Sequence, residues 1–231
     1  LSELIFSHNY LNLISGDSTF ASTSILSTAA GNYNIIAKVI FAQDEDTTNN
    51  EQIKLFTVFP PGNNFNDVAV NEIMYAPSTG EPEWVEIFNR TSSPINLRRW
   101  TLSDLSSTVT ITNSDRIIPP NNFIVLSRDS SILNFYNVPV EIITFSLPAL
   151  NNTGDAVVIK DSIGIVIDSV NFLSNWGGNS GGKSLERIDV NVNSNQQSNW
   201  ESSQSLLKAT PGRVNSITPK QNDLAVTAFE P

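Results

Sequence analysis

The sequence predicts an all-β protein with a β-sandwich architecture, and three observations support that prediction. Apolar and polar residues alternate with a period of two in short runs such as "YNIIAKVIFA", "WVEIF", "FIVLS" and "IVIDSV", as expected for strands with one buried face. Clusters of Pro, Gly, Asn and Asp separate these runs. Only "SSILNFY" at 130–136 has the character of a helical turn. Many short strands at regular spacing are typical of a sandwich.

The composition excludes several classes of function. The chain has 231 residues, 13 basic against 23 acidic side chains and a net charge of -10, which disfavours nucleic acid and anionic lipid as partners. No apolar run is long enough to span a bilayer. The absence of cysteine excludes disulfides and thiolate chemistry. A polar, weakly charged composition suits a secreted or cell-surface protein. Because the chain begins at Leu1 without a leader, we expect a mature product or an excised piece of an exported protein.

Two breaks in the pattern predict the domain organisation. The stretch "FPPGNNFND" at 59–67 has the composition of a linker, and "TPGRVNSITPKQN" at 210–222 is a second break before a last strand-like run. We therefore expect a partial domain at 1–60, a linker at 61–66 and a central domain at 67–217. Residues 218–231 would be a second linker and a terminal strand.

The N-terminal block has the pattern of a β-hairpin, "GNYNIIAKVIFAQDEDTTNNEQIKLFTVF". It resembles the second half of a bacterial cell-adhesion-related (CARDB-like) immunoglobulin-like module, and "NDLAVTAFEP" at 222–231 resembles the missing first strand of that module. Two explanations stay open. The chain is a segment of a longer array of modules, or residues 222–231 add a strand to the N-terminal block of the same chain or of a neighbour.

The loop of this hairpin is acidic and provides the candidate metal ligands. Asp44, Asp46, Asn49 and Glu51 carry the oxygen atoms that calcium prefers. The stretch lacks the alternating spacing of an EF-hand loop, so the alternative is a solvated hairpin tip.

The central block contains eight motifs in a fixed order. They are "VNEIMYAP" (70–77), "EPEWVEIFN" (81–89), "INLRRWTLSD" (95–104), "IIPPNNFIVLSRD" (117–129), "LNNTGDAVVIKDSIGIVIDSVNF" (150–172), "SLERID" (184–189), "NW" (199–200) and "ATPGRVN" (209–215). Together they resemble the lamin-tail domain of the bacterial secreted type. The resemblance implies an immunoglobulin-like β-sandwich without catalytic residues. The chain departs from that family at Arg99 and at Asn121-Asn122, where the family often has glycine.

The two glutamates of "EPEWVEIFN" do not have the spacing of a catalytic pair. Glu83 and Glu86 are three residues apart on a strand, so they point to opposite faces and cannot converge on a substrate. Glu86 shares a face with Trp84, where a buried carboxylate needs a partner. Our candidate for that partner is Arg187, in a bidentate structural pair.

The remaining large aromatic residues are expected to be structural. Trp100, Trp176 and Trp200 are predicted to close the ends of the sandwich core. The alternative is that exposed aromatic side chains such as Trp176 or Tyr136 stack against a ligand.

Other catalytic constellations fail on composition or context. The single histidine, His8, lies in the N-terminal block, so no Ser-His-Asp triad is expected in the sandwich, and zinc would lack both Cys and a His cluster. Residues 177–184 satisfy the Walker spacing, but that motif needs a helix after it, and "LERID" is strand-like. We therefore expect neither an enzyme nor a cofactor other than calcium.

Three functions follow from these observations. The first is a non-catalytic extracellular structural or adhesion module, such as a surface or filament subunit that assembles by β-strand addition. The second is an accessory domain of a larger secreted hydrolase. The third is a calcium- or carbohydrate-binding module.

Overall fold

The chain divides into two compact units, Leu1–Pro61 and Gly62–Pro231. The computed structural model describes residues 6–7, 9, 18–20, 22, 31–58, 63–178 and 181–219. His8, most of the predicted N-terminal block before residue 31, and the predicted terminal strand at 222–231 lie outside these residues. No helix among the described residues has both the length and the apolar character to cross a membrane.

The described part of the smaller unit is a β-hairpin. Strands β1 (Gly31–Lys38) and β2 (Glu51–Val58) pair antiparallel, with Ile36 opposite Ile53. A short 3-10 turn at Thr47–Asn49 lies in the connecting loop. The alternating pattern of both runs predicted this pairing, and the hairpin is confirmed.

The larger unit contains twelve strands within the described residues. They are β3 (Val68–Met74), β4 (Trp84–Asn89), β5 (Ile95–Asn96), β6 (Thr101–Ser103), β7 (Thr108–Thr110), β8 (Ile117–Ile118), β9 (Phe123–Ser127), β10 (Ile142–Thr144), β11 (Gly154–Lys160), β12 (Val166–Leu173), β13 (Leu185–Arg187) and β14 (Trp200–Ser202). One sheet has the order β10-β9-β4-β3-β13-β14, a second has the order β12-β11-β6-β7, and β5 pairs with β8. All pairs are antiparallel except β9 with β10.

The main hydrophobic core joins these two sheets. Val85 and Ile87 of β4 belong to the same buried cluster as Val157 and Ile159 of β11. The neighbouring residue of β4, Trp84, belongs to a second cluster on the other face of the six-stranded sheet. This arrangement confirms the predicted all-β sandwich. Its central strands are buried on both faces, which the simple alternating pattern did not indicate.

Local turn chemistry follows the sequence closely. Ser130–Asn134 form a 3-10 turn in which the backbone N–H of Ser131 donates to the capping carboxylate of Asp129 at 2.8 Å, which confirms the turn predicted there. Gly154 has a φ of +136°, and a Cβ atom at this position would lie 2.8 Å from the carbonyl oxygen of Phe172. Only glycine fits this turn without displacing the backbone.

Candidate functional site

Four glutamates form a continuous row across the six-stranded sheet. Glu86 of β4 lies opposite Glu72 of β3, Glu72 opposite Glu186 of β13, and Glu186 opposite Glu201 of β14. Directly paired residues of antiparallel strands point to the same face, so the four side chains are neighbours. Glu72, Glu86 and Glu186 have no exposed surface, whereas Glu201 is exposed. We call the three buried members the glutamate row.

Residues 209–217, which we call the covering segment, hold the glutamate row with neutral hydrogen bonds. Thr210 donates its backbone N–H to Glu72 at 2.8 Å, and Gly212 donates its N–H to Glu86 at 2.5 Å. The hydroxyls of Thr210 and Ser216 donate to Glu186 at 2.8 and 2.7 Å. The ion pairs of the described residues do not include any member of the row. The carboxyl groups therefore anchor a non-strand segment onto the outer face of the sheet.

Steric constraints explain the glycine in the "TPG" sequence of the covering segment. Gly212 has a φ of +78°, and a Cβ atom there would lie 2.8 Å from Cδ of Pro139. Its backbone N–H can approach Glu86 because the residue has no side chain. Any larger residue would push the segment away from the sheet.

Burial is the main influence on the pKa values of Glu72 and Glu86. It raises the pKa of Glu72 to about 8, and the nearby charge of Glu186 raises it further against the hydrogen bonds from Ser184 and Thr210. Burial also raises the pKa of Glu86 well above its usual value, with a second contribution from the charge of Glu72. Glu72 is therefore mainly protonated at neutral pH, and burial favours the protonated form of Glu86 as well. Because solvent does not reach these carboxyl groups, they are structural anchors rather than an acid and a base that act on a substrate.

Glu83 and Glu86 have separate partners, as the strand spacing predicted. Glu83 precedes β4 and forms an ion pair with Arg128, while Glu86 accepts hydrogen bonds from Asn71 and Gly212. Burial raises the pKa of Glu83, and its partner Arg128 opposes that shift.

The predicted partner of Glu86 is wrong. Arg187 forms its ion pair with Asp168 of β12, at 3.3 Å between Nη1 and Oδ2, and both side chains are fully buried. Arg187 also donates to the carbonyl of Val70 at 3.0 Å, and its guanidinium lies 5.7 Å from the ring centre of Trp200. Burial lowers the pKa of Arg187, and the charge of Asp168 opposes this shift. The pair joins the two sheets of the sandwich.

Asp168 is the structural residue that the sequence analysis missed. Its carboxylate accepts hydrogen bonds from the backbone N–H of Val70 at 2.7 Å and from the hydroxyl of Ser194 at 2.6 Å, in addition to the Arg187 pair. The available signal was a single acidic residue inside the apolar run "IVIDSV". A charged residue in such a run needs a buried partner.

The comparison with known families agrees with this geometry. Residues 61–174 match the Lamin Tail Domain family. The Lamin Tail Domain is a non-catalytic, immunoglobulin-like domain, so the predicted immunoglobulin-like β-sandwich is confirmed. No curated protein matches the chain. The resemblance to an adhesion module in the flanking segments and the bacterial secreted type stay predictions.

The six-stranded sheet extends beyond the residues that match the Lamin Tail Domain. Strands β13 and β14 follow residue 174, yet β13 pairs directly with β3 and β14 pairs with β13. The covering segment also lies beyond the match. The structural domain that contains the lamin-tail match is therefore longer than the match itself.

The tryptophans of the larger unit are mostly buried, as predicted for structural residues. Trp84, Trp100 and Trp200 are at most 2% exposed, and Trp176 packs partly buried against the main core. The indole N–H of Trp200 donates to the carbonyl of Ser194 at 2.8 Å. Tyr136, which the ligand-stacking alternative required to be exposed, is buried and donates to Glu81 at 2.6 Å. That alternative is wrong for Tyr136, because the turn at Ser130–Asn134 places its ring 6.0 Å from that of Trp84.

The Walker-like spacing at 177–184 does not produce a phosphate loop. Its last residue, Ser184, is buried and donates its hydroxyl to Glu72 at 2.5 Å. The chain continues directly into β13 instead of a helix. The hydroxyl that would contact a metal ion in a nucleotide site therefore binds the glutamate row.

The acidic loop of the hairpin uses its carboxylates for local capping. Asp46 accepts from the backbone N–H of Thr48 at 3.0 Å, and Asp44 accepts from the N–H of Asp46 at 3.1 Å. Lys38 and Glu51 form an exposed pair at 3.8 Å. Within the described ranges, no group of three or more His, Asp or Glu side chains is arranged to hold a metal ion. The calcium site at Asp44, Asp46, Asn49 and Glu51 stays a prediction.

An apolar groove of about 500 Å³ lies on the larger unit. Its apolar walls include Phe88, Phe123, Val190, Val214 and Pro219. We call this feature the apolar groove.

Proposed function

We propose that this protein is a non-catalytic structural module that works outside the cell and assembles by β-strand addition. In this proposal, residues 222–231 of one copy pair with the hairpin β1–β2 of another copy. The match to the Lamin Tail Domain, a non-catalytic family, supports the structural role. The polar, weakly charged composition supports a location outside the cell, which surface proteolysis of intact cells would test.

The observation that carries the proposal is the exposed apolar face of the hairpin. Ile36 lies opposite Ile53, and Leu55 is two residues further along β2, so the three side chains share one face. They are 53%, 59% and 69% exposed. A two-stranded hairpin is only marginally stable in water, and a contiguous exposed apolar face marks an interaction surface.

The sequence of residues 222–231 fits the strand that this hairpin needs. If "NDLAVTAFEP" is a strand, Leu224 and Val226 point to one face and Phe229 points to the other. With ten residues, it is longer than β1 and β2, which have eight residues each. An added strand would satisfy the edge of the hairpin with backbone hydrogen bonds and cover apolar surface with its side chains.

Light scattering coupled to size-exclusion chromatography tests the proposal over a range of concentrations. The intact chain should form assemblies that grow with concentration, whereas a chain that lacks residues 222–231 should remain monomeric. Leu55→Asp should also prevent assembly, because it places a charge on the proposed interface. Leu206→Asp is the matched control, since Leu206 is fully exposed on the larger unit and its replacement should leave assembly unchanged.

Two outcomes would contradict assembly between copies. A monomer at every concentration, combined with a lower melting temperature after truncation, would mean that residues 222–231 stabilise their own chain instead of a neighbouring copy. A monomer whose stability is unaffected by truncation would remove strand addition altogether.

A further inference from the structure

We propose that the apolar groove binds residues 220–231 of its own chain, which we call the C-terminal segment. Thr218 and Pro219, the last described residues, line this groove. The residues that follow therefore start from its wall. The groove is a docking site for the segment when that segment is not paired with a hairpin.

The chemistry of the groove selects apolar side chains. Phe88 of β4 and Phe123 of β9 are directly paired across the sheet, and their ring centres are 4.8 Å apart. Val214 is 67% exposed at the groove. Aromatic and aliphatic surface of this kind gains free energy when another apolar side chain removes it from water.

Three buried polar residues that border the groove already have partners. Asn71 donates to Glu86 at 2.8 Å, and Asn215 donates to the backbone carbonyl of Arg187 at 2.7 Å. The side chain of Arg187 is bound to Asp168 and to Val70. Since these three groups are already hydrogen-bonded, they do not require a polar ligand in the groove. Its volume of about 500 Å³ is suited to a few apolar side chains.

The C-terminal segment supplies such side chains within reach. Leu224, Val226 and Phe229 are its large apolar residues. Leu224 follows Pro219 by five residues, and five residues span at most about 18 Å. A short tether of this kind gives an effective concentration in the millimolar range. An unrelated peptide would have to exceed that concentration to compete.

Docking in the groove has a regulatory consequence that rests on the proposed function. A C-terminal segment held in its own groove is not free to pair with the hairpin of another copy. The groove and the hairpin then compete for one segment, and loss of the groove should strengthen assembly. The docking itself does not depend on whether the protein assembles.

Hydrogen exchange of the C-terminal segment tests the docking in full-length chains. The measurement uses the Leu55→Asp chain, in which the hairpin interface is disabled, so that any protection reports the groove. We expect amides of the segment to exchange about tenfold more slowly than in a free peptide of residues 220–231. Adding Val214→Asp should remove this protection. Adding Leu207→Asp should not, because Leu207 is similarly exposed, at 63%, and does not line the groove.

The outcomes separate the two proposals. Exchange as fast as in the free peptide, or protection that survives Val214→Asp, would overturn docking in the groove. If protection behaves as expected while the chain with an intact hairpin does not assemble, docking is supported and strand addition is wrong. If both hold, Val214→Asp in the chain with an intact hairpin should lower the concentration at which assembly begins.

Discussion

Glu186 and Arg187 are adjacent in β13, yet they bind on opposite faces of the sheet. Glu186 joins the glutamate row on the outer face, whereas Arg187 crosses to Asp168 in the other sheet. Glu186 lies on the same face of the sheet as Glu86. Because side chains alternate along a strand, its neighbour Arg187 points to the opposite face and cannot reach Glu86. The predicted pair between Glu86 and Arg187 was wrong for this reason.

Arg99 has a backbone conformation that normally belongs to glycine. Its φ is +61°, at a position where the lamin-tail resemblance implied glycine, and Asn121 has a φ of +51° at another such position. The left-handed region costs a residue with a Cβ atom roughly 1–2 kcal/mol. The two departures from the family pattern thus retain the backbone geometry and replace only the side chain.

We predict that Arg99→Gly increases the free energy of unfolding by about 0.5–1 kcal/mol, since the removed strain exceeds the greater chain entropy of glycine. Urea unfolding would measure the difference. Arg98→Gly is the matched control, because Arg98 is also exposed but does not have a positive φ. This control should lose stability. Equal losses in both variants would contradict the assigned backbone conformation.

At the scale of secondary-structure elements, the glutamate row makes the attachment of the covering segment depend on protons. Glu72 and Glu86 accept backbone N–H groups from that segment and have raised pKa values. Ionised carboxylates side by side in the buried row would repel one another and lose hydration without a cation to compensate. The protonated form therefore belongs to the folded state.

We predict that stability falls as the pH rises between about 4.5 and about 8. The pKa of Glu72 is about 8 in the folded chain and about 4.5 without burial, so the folded state binds more protons than the unfolded state across this window. The contribution of Glu72 is complete below the lower value and lost as the pH passes the upper one. Its size is up to about 5 kcal/mol.

Thermal melts from pH 4.5 to pH 9 would measure this dependence. Glu72→Gln should flatten the decline, since glutamine does not titrate. Glu201→Gln is the matched control because Glu201 occupies the same row but is exposed. A decline of the same slope in the parent chain and in Glu72→Gln would remove Glu72 as its cause.

At the scale of the whole molecule, the larger unit contains its own complete core. The buried residues of both clusters lie between Val68 and Ala209. Strand β13 lies next to β3 inside the six-stranded sheet, and the covering segment closes the outer face. Removing either would expose buried glutamates and apolar side chains together.

We predict that residues 62–231 expressed alone unfold cooperatively, whereas residues 62–174 do not. The shorter fragment ends where the lamin-tail match ends but lacks β13, β14 and the covering segment. Circular dichroism melts of the two fragments, beside the intact chain, would measure the difference. A cooperative transition in the shorter fragment would show that β13 and the covering segment are dispensable.

The sequence by itself determined the elements of this protein. The period of two is a local property, so it located the hairpin, the strands "FIVLS" and "IVIDSV", and the separation of Glu83 from Glu86, which have different partners. Turn chemistry is also local, and it identified Gly154 and the turn at 130–136. The five ordered motifs between residues 70 and 172 indicated the Lamin Tail Domain family, whose model matches residues 61–174.

Only the tertiary structure decided which buried groups meet. Strand order brings Glu72, Glu86 and Glu186 into one row from positions up to 114 residues apart. It also places Arg187 beside Asp168. The spacing of residues along a strand specifies the face of a side chain but not the strand beside it. Partners, protonation and the burial of the outer face depend on that neighbour, because they arise from contacts between distant parts of the chain.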